Sequence, residues 1–189
     1  MKSNQITTLI FNPFTRIAGW EALAIGLFFV TVSALLGTYS RVVTDGVMDI
    51  HLVNSLELSR SFIITSISLL SLIVCMTLVA YLISGNFRII DVAGTLTLSK
   101  APVLIAVIAG FFTHVPDQKT IISNPTVVFQ STSFIVVSLI IIPIAIWMIA
   151  LTFNALKEST GTKGNKLIIG FIVGLVVAEI ISKVLINLL

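Results

Sequence analysis

Residues 61–84 run for 24 positions without a charged side chain, and no other feature constrains the fold of this chain as much. The hydrocarbon core of a bilayer is roughly 30 Å thick and takes about 20 apolar helical residues to cross. Inside it the chain must satisfy every backbone N–H and C=O itself, and a continuous apolar run does so as a helix. Four further apolar stretches, approximately 17–38, 96–114, 132–153 and 167–189, read the same way. The expected fold is an all-α, polytopic transmembrane helical bundle of five spans with short connectors, a single domain over residues 1–189. Hydrophobic residues make up 57% of the chain and charged ones 10%, against about 25% charged in a soluble domain. The net charge of +3 is scattered, unlike the basic stripe of a nucleic-acid binder, so no nucleic-acid partner is expected.

The spans are unequal. Ile6, Leu9, Ile10 and Phe11 could form a short interfacial helix or a frayed terminus, and no cleaved signal peptide is expected. Asn12-Pro13 reads as a helix start, with Asn as N-cap and Pro at the first position. Trp20 suits the headgroup region at the start of span one. The polar connector 39–60, with Asp45, Asp49, His51 and Glu57, is long enough for a short surface helix. Residues 87–100 read as an amphipathic connector. Only 16 residues separate Lys100 from Asp117, about 24 Å of helix. Span three is therefore expected to borrow residues 95–100, with Lys100 snorkelling to the surface, or else to be re-entrant. Pro143 is expected to kink span four. His114 is expected at an interface.

Lysines and arginines divide unequally between the two ends of such a bundle. Lys2, Arg16, Arg88, Lys100, Lys157, Lys163 and Lys166 fall on the N-terminal side, and Arg41, Arg60, Lys119 and Lys183 on the other. The positive-inside rule then puts the N-terminus in the cytoplasm and the C-terminus outside it.

Few residues carry chemistry. Gly170, Gly174, Ala178 and Ser182 recur at every fourth position of span five, and Ala18, Ala22 and Gly26 make a similar strip in span one. Such strips let helices approach closely, either within the bundle or between copies in a homo-oligomer. Glu21, Glu179 and Lys183 are intramembrane charges. Glu179 and Lys183 can pair locally at i, i+4, while a membrane acid can also serve transport or proton coupling. Ser61, Thr65, Ser68, Ser71 and Cys75 share one face of span two, suited to interhelical hydrogen bonds or to a hydrated path. No charged residue joins that face in the sequence, which argues against an ion channel. Zincin, nucleophile-elbow and P-loop motifs are absent. No catalytic, cofactor-binding or metal-binding residues and no cofactors are expected, and the chain is not expected to be an enzyme.

Asn12-Pro13-Phe14-Thr15-Arg16 before the first span, the glycine-containing connector 85–102, Ile146-Trp147, the turn 157–161 and Lys166 at the last span together resemble the Ypt-interacting-protein (YIP) family of five-span membrane proteins. The resemblance covers most of the chain and points to the bacterial branch. Eukaryotic members bind Rab-type GTPases through a long cytoplasmic N-terminal region with an acidic-Leu-Tyr-Gly-Pro motif. Here only 16 residues precede the first span and the motif is missing, so GTPase binding is not expected. Spans nearly empty of reactive groups, taken with this resemblance, point to a non-enzymatic scaffold or accessory subunit. Its partners would be membrane lipid and other integral membrane proteins, export machinery among the candidates. The alternative is a small transporter or permeability protein acting as an oligomer.

Overall fold

The computed structural model describes residues 9–113, 118–124 and 126–189. Five helical segments are long and apolar enough to cross a membrane: Gly19–Ser40, Leu58–Ile83, Ile89–Gly110, Thr132–Thr160 and Asn165–Asn187. The protein is an all-α, five-helix bundle. We label its elements α1 (Gly19–Ser40), β1 (Val42–Val43), β2 (His51–Leu52), α2 (Leu58–Ile83), α3 (Ile89–Leu98), α4 (Val103–Gly110), α5 (Gln118–Ser123), α6 (Val127–Gln130), α7 (Thr132–Thr160) and α8 (Asn165–Asn187).

Span three consists of α3 and α4 and begins at Ile89, not near residue 96. Residues 87–100 are therefore not a connector, and the 22 residues of Ile89–Gly110 reach about 33 Å, enough to cross. This span is the centre of the bundle. Some 67% of its apolar window is buried, against 28–39% for the other four, which turn their remaining surface outward. It breaks in the middle because Pro102 has no N–H to continue the ladder. Lys100 N donates to Thr97 O at 3.2 Å, Ala101 N to Leu98 O at 3.0 Å and Val103 N to Lys100 O at 3.0 Å. These are 3₁₀ bonds, and a mid-helix stretch of them marks local strain or function.

Small residues seat the neighbours of this central span. A Cβ on Gly26 of α1 would lie 2.5 Å from Leu98 N and 2.7 Å from Thr97 C, and one on Gly94 of α3 would meet Gly19 O and lie 3.0 Å from Leu23 N. Backbone therefore meets backbone along α1 and α3, as small residues at membrane helix interfaces permit. In α8, a Cβ on Gly174 would lie 2.6 Å from Val79 Cγ2, and one on Gly170 3.0 Å from Val79 Cγ1. The strip of α8 thus packs on α2, with Ala178 and Ser182 fully buried. Helix α7 continues through Pro143 and packs along α3 and α4.

The N-terminal segment is tied to α7. Trp147 Nε1 donates to Ile10 O at 3.0 Å and Asn154 Nδ2 to Phe11 O at 2.9 Å. Asn12-Pro13 opens a 3₁₀ turn, Pro13–Thr15, instead of span one, and Asn12 Nδ2 donates to Glu158 Oε1 at 2.9 Å. The rest of the expected interfacial segment, residues 1–8, and His114 lie outside the described residues.

Candidate functional site

The connector between α1 and α2 forms no surface helix. Arg41 caps α1 in the left-handed region, with φ 60°, and turns the chain back into a hairpin. Its strands pair antiparallel, Val42 opposite Leu52 and Val43 opposite His51. The tip points between the helices: Val47 is 1% exposed. A buried backbone needs partners for its N–H and C=O groups, and three ionisable side chains from the spans supply them or anchor the tip. Glu179 of α8 accepts from Met48 N–H at 2.9 Å. Lys100, from the break in span three, donates to Val47 O. Lys183 of α8 pairs with Asp49 and lies 3.4 Å from Glu179 Oε1. Gly46 makes this approach possible, since a Cβ there would run into the Glu179 carboxylate, 2.9 Å from its Cδ.

Lys100 is not at the surface. It is 9% exposed, with Nζ 3.7 Å from Met148 Sδ besides its bond to Val47 O. The expectation that it snorkels fails because the span that contains it starts at Ile89, which puts residue 100 at mid-depth. The expectation that no charge joins the serine face of span two fails for the same reason. Lys100 lines a cavity of about 30 Å³ together with Ser33 of α1, Ser61, Thr65 and Ser68 of α2, and Val107 of α4. Ser61 donates to Ala34 O at 2.7 Å and Ser68 to Thr44 O at 3.2 Å, so both hydroxyl protons bind backbone. Cys75 is buried and free.

Outside the spans, His51 Nε2 lies 3.0 Å from Asp45 Oδ1 and 3.6 Å from Asp49 Oδ2. One ligand atom from each of the three residues lies within 4.8 Å of the others, a spacing that could surround a cation. The Lys183 ammonium already neutralises Asp49. The hydrogen bond to Asp45 pushes the His51 imidazole above its ordinary value; burial opposes this, and the charges of Asp45 and Asp49 reinforce it. Burial raises the Asp49 carboxyl, but the hydrogen bond and charge of Lys183, with His51 behind them, hold it below the usual range. An open groove of about 630 Å³ adjoins the hairpin, lined by Asp45, Leu56, Arg60, Phe134, Ile186 and Leu189 among others.

The remaining sequence candidates sit apart from this cluster. Glu21 is exposed in the first turn of α1 beside Trp20, which is 73% exposed. Ala18 is exposed and precedes α1, so the span-one strip runs through Gly19, Ala22 and Gly26 instead. Sequence reasoning missed Lys100 and the hairpin as parts of one site. The available signal was a lysine two residues before a proline in an otherwise uncharged segment.

The fold and the buried cluster define a polytopic helical membrane protein whose ionisable residues converge on its first connector. No family model, curated protein or solved structure matches this chain.

Proposed function

We propose that the chain is a non-enzymatic membrane scaffold or accessory subunit that binds other integral membrane proteins or lipid. One observation carries the reading: the ionisable side chains that converge inside the bundle are turned onto the protein's own hairpin. Glu179 and Lys100 each bond its backbone, and Lys183 pairs with Asp49. The space beside Lys100 holds about 30 Å³, room for only a water or two, which is no conduit for a metabolite. An anchored hairpin beside a 630 Å³ groove with Arg60 at its wall, on a bundle with four largely outward-facing helices, suits presentation to a partner.

The reading accords with the YIP-type resemblance, in the bacterial branch and without Rab-type GTPase binding. It takes the N-terminus as cytoplasmic in a bacterial cytoplasmic membrane; with Lys100 removed from the count, six cationic residues still face four. The oligomeric transporter is the second reading, favoured by a lysine and hydroxyls at mid-span. Purification in mild detergent followed by mass spectrometry of co-eluting proteins and lipids tests the scaffold. A membrane protein in fixed stoichiometry, lost when the hairpin is replaced by a Gly-Ser linker, is the expected result. A homogeneous preparation without such a partner, which carries solute flux in liposomes, overturns it in favour of the transporter.

A further inference from the structure

The cavity at the break of span three has a donor inventory that its walls do not satisfy. Lys100 Nζ carries three N–H donors and no acceptor. Val47 O and Met148 Sδ engage two of them. Among the described residues Lys100 has no ion pair. Glu179, the carboxylate whose charge reaches it, is held by Met48 N–H and Lys183. The Ser33 hydroxyl is buried, 6% exposed, and has no hydrogen-bond partner. Ser33 and Lys100 line the same space. The protons of Ser61 and Ser68 are directed to Ala34 O and Thr44 O, which leaves the ammonium and Ser33 as the buried donors, beside the partly buried hydroxyls of Thr44 and Thr65. The remaining walls include the apolar Val103 and Val107, beside which a charge interaction is stronger than in water.

A buried cation costs heavily unless it is paired, and an orphan buried donor adds to that cost. Water in the cavity would satisfy the hydrogen bonds, while Glu179, already shared with Lys183, offsets the Lys100 charge only from beyond ion-pair distance. An anion satisfies both, and a volume near 30 Å³ suits a monatomic anion better than phosphate or a carboxylated metabolite. We propose that this cavity binds a halide, chloride being the abundant one, between Lys100 Nζ and the Ser33 hydroxyl. The site stands on the cavity itself and does not depend on the scaffold reading.

The test uses the purified full-length chain in detergent. Thermal unfolding is followed in potassium chloride, bromide and gluconate at matched ionic strength, so that screening is constant, and chloride NMR line broadening reports direct binding. A ligand that binds only the folded state raises the unfolding temperature in a concentration-dependent way. Chloride and bromide should therefore stabilise relative to gluconate, and bromide should reverse the chloride broadening. Lys100→Gln should abolish both signals. Ser33→Ala should weaken the halide midpoint roughly tenfold, the value of one hydrogen bond to a charged group. If Lys100→Gln does not fold, Ser33→Ala decides, because an unchanged midpoint in that variant overturns the site. Equal unfolding temperatures in all three salts with no broadening leave only water in the cavity and also overturn it.

Discussion

Glu179 is the side chain on which attachment of the hairpin depends, and its removal has a calculable cost. Its Oε2 accepts from Met48 N–H at 2.9 Å, a hydrogen bond to a charged group worth about 1.5–3 kcal/mol. The pair with Lys183, whose side chain is 44% exposed, adds no more than about 0.5 kcal/mol. Glu179→Ala should thus lose about 2–3 kcal/mol. In a chain of this size each kcal/mol moves the unfolding midpoint by roughly 2–4 °C, so the variant should unfold roughly 4–12 °C lower. Glu179→Gln keeps a neutral acceptor for Met48 and should lose only about 1 kcal/mol. Gly46→Ala attacks the same contact from the other side, since its Cβ would displace the carboxylate. The double variant Gly46→Ala/Glu179→Ala should therefore cost less than the sum of the two, as residues sharing one contact do. Thermal unfolding of the parent and these four variants in one detergent measures all of this. A Glu179→Ala protein with the parental midpoint, or strictly additive costs in the cycle, would refute the hairpin anchor.

Gly174→Leu should destabilise the protein by about 1–3 kcal/mol through overpacking against Val79 and Met76, while size-exclusion chromatography shows an unchanged oligomer. A shift in oligomer size without loss of stability would return span five to homodimerisation. Ser61→Ala removes a buried bond to Ala34 O and should cost about 0.6–1.7 kcal/mol, the range for hydrogen bonds between membrane helices. The hairpin should also respond to pH. His51 has its folded-state value raised from 6.5, so its contribution is complete below that pH and fades as pH rises through the raised value. Asp49 has its value lowered from 3.8, so its contribution is complete above that pH and fades as pH falls through the lowered value. Unfolding temperature against pH should lose its alkaline decline in His51→Ala and its acid decline in Asp49→Asn; profiles unchanged in both would detach these groups from stability.

The apolar runs were legible because the period of burial in a membrane is long and the signal is summed over about 20 residues. Glu179 and Lys183 were legible as a local pair at 3.4 Å, because i, i+4 geometry follows from the helix alone. The small residues of α8 were legible as a strip, but not their seat on Val79 of α2. Lys100 was misread because a lysine ordinarily marks the end of a span. Its true position follows from the span beginning at Ile89, where Gly94 packs closely on Gly19 of α1.

Sequence by itself therefore determined the class of molecule, an all-α bundle of five spans, since hydropathy is a property of each segment taken alone. Tertiary structure decided which helix is central, that the first connector folds inward as a hairpin, and that Lys100, Ser33 and the serines of α2 share one cavity. Those contacts join residues far apart in the chain, and the physical reason is the same in each case. A buried backbone or charge takes its partner from whichever helix lies alongside, and no local pattern records that neighbour.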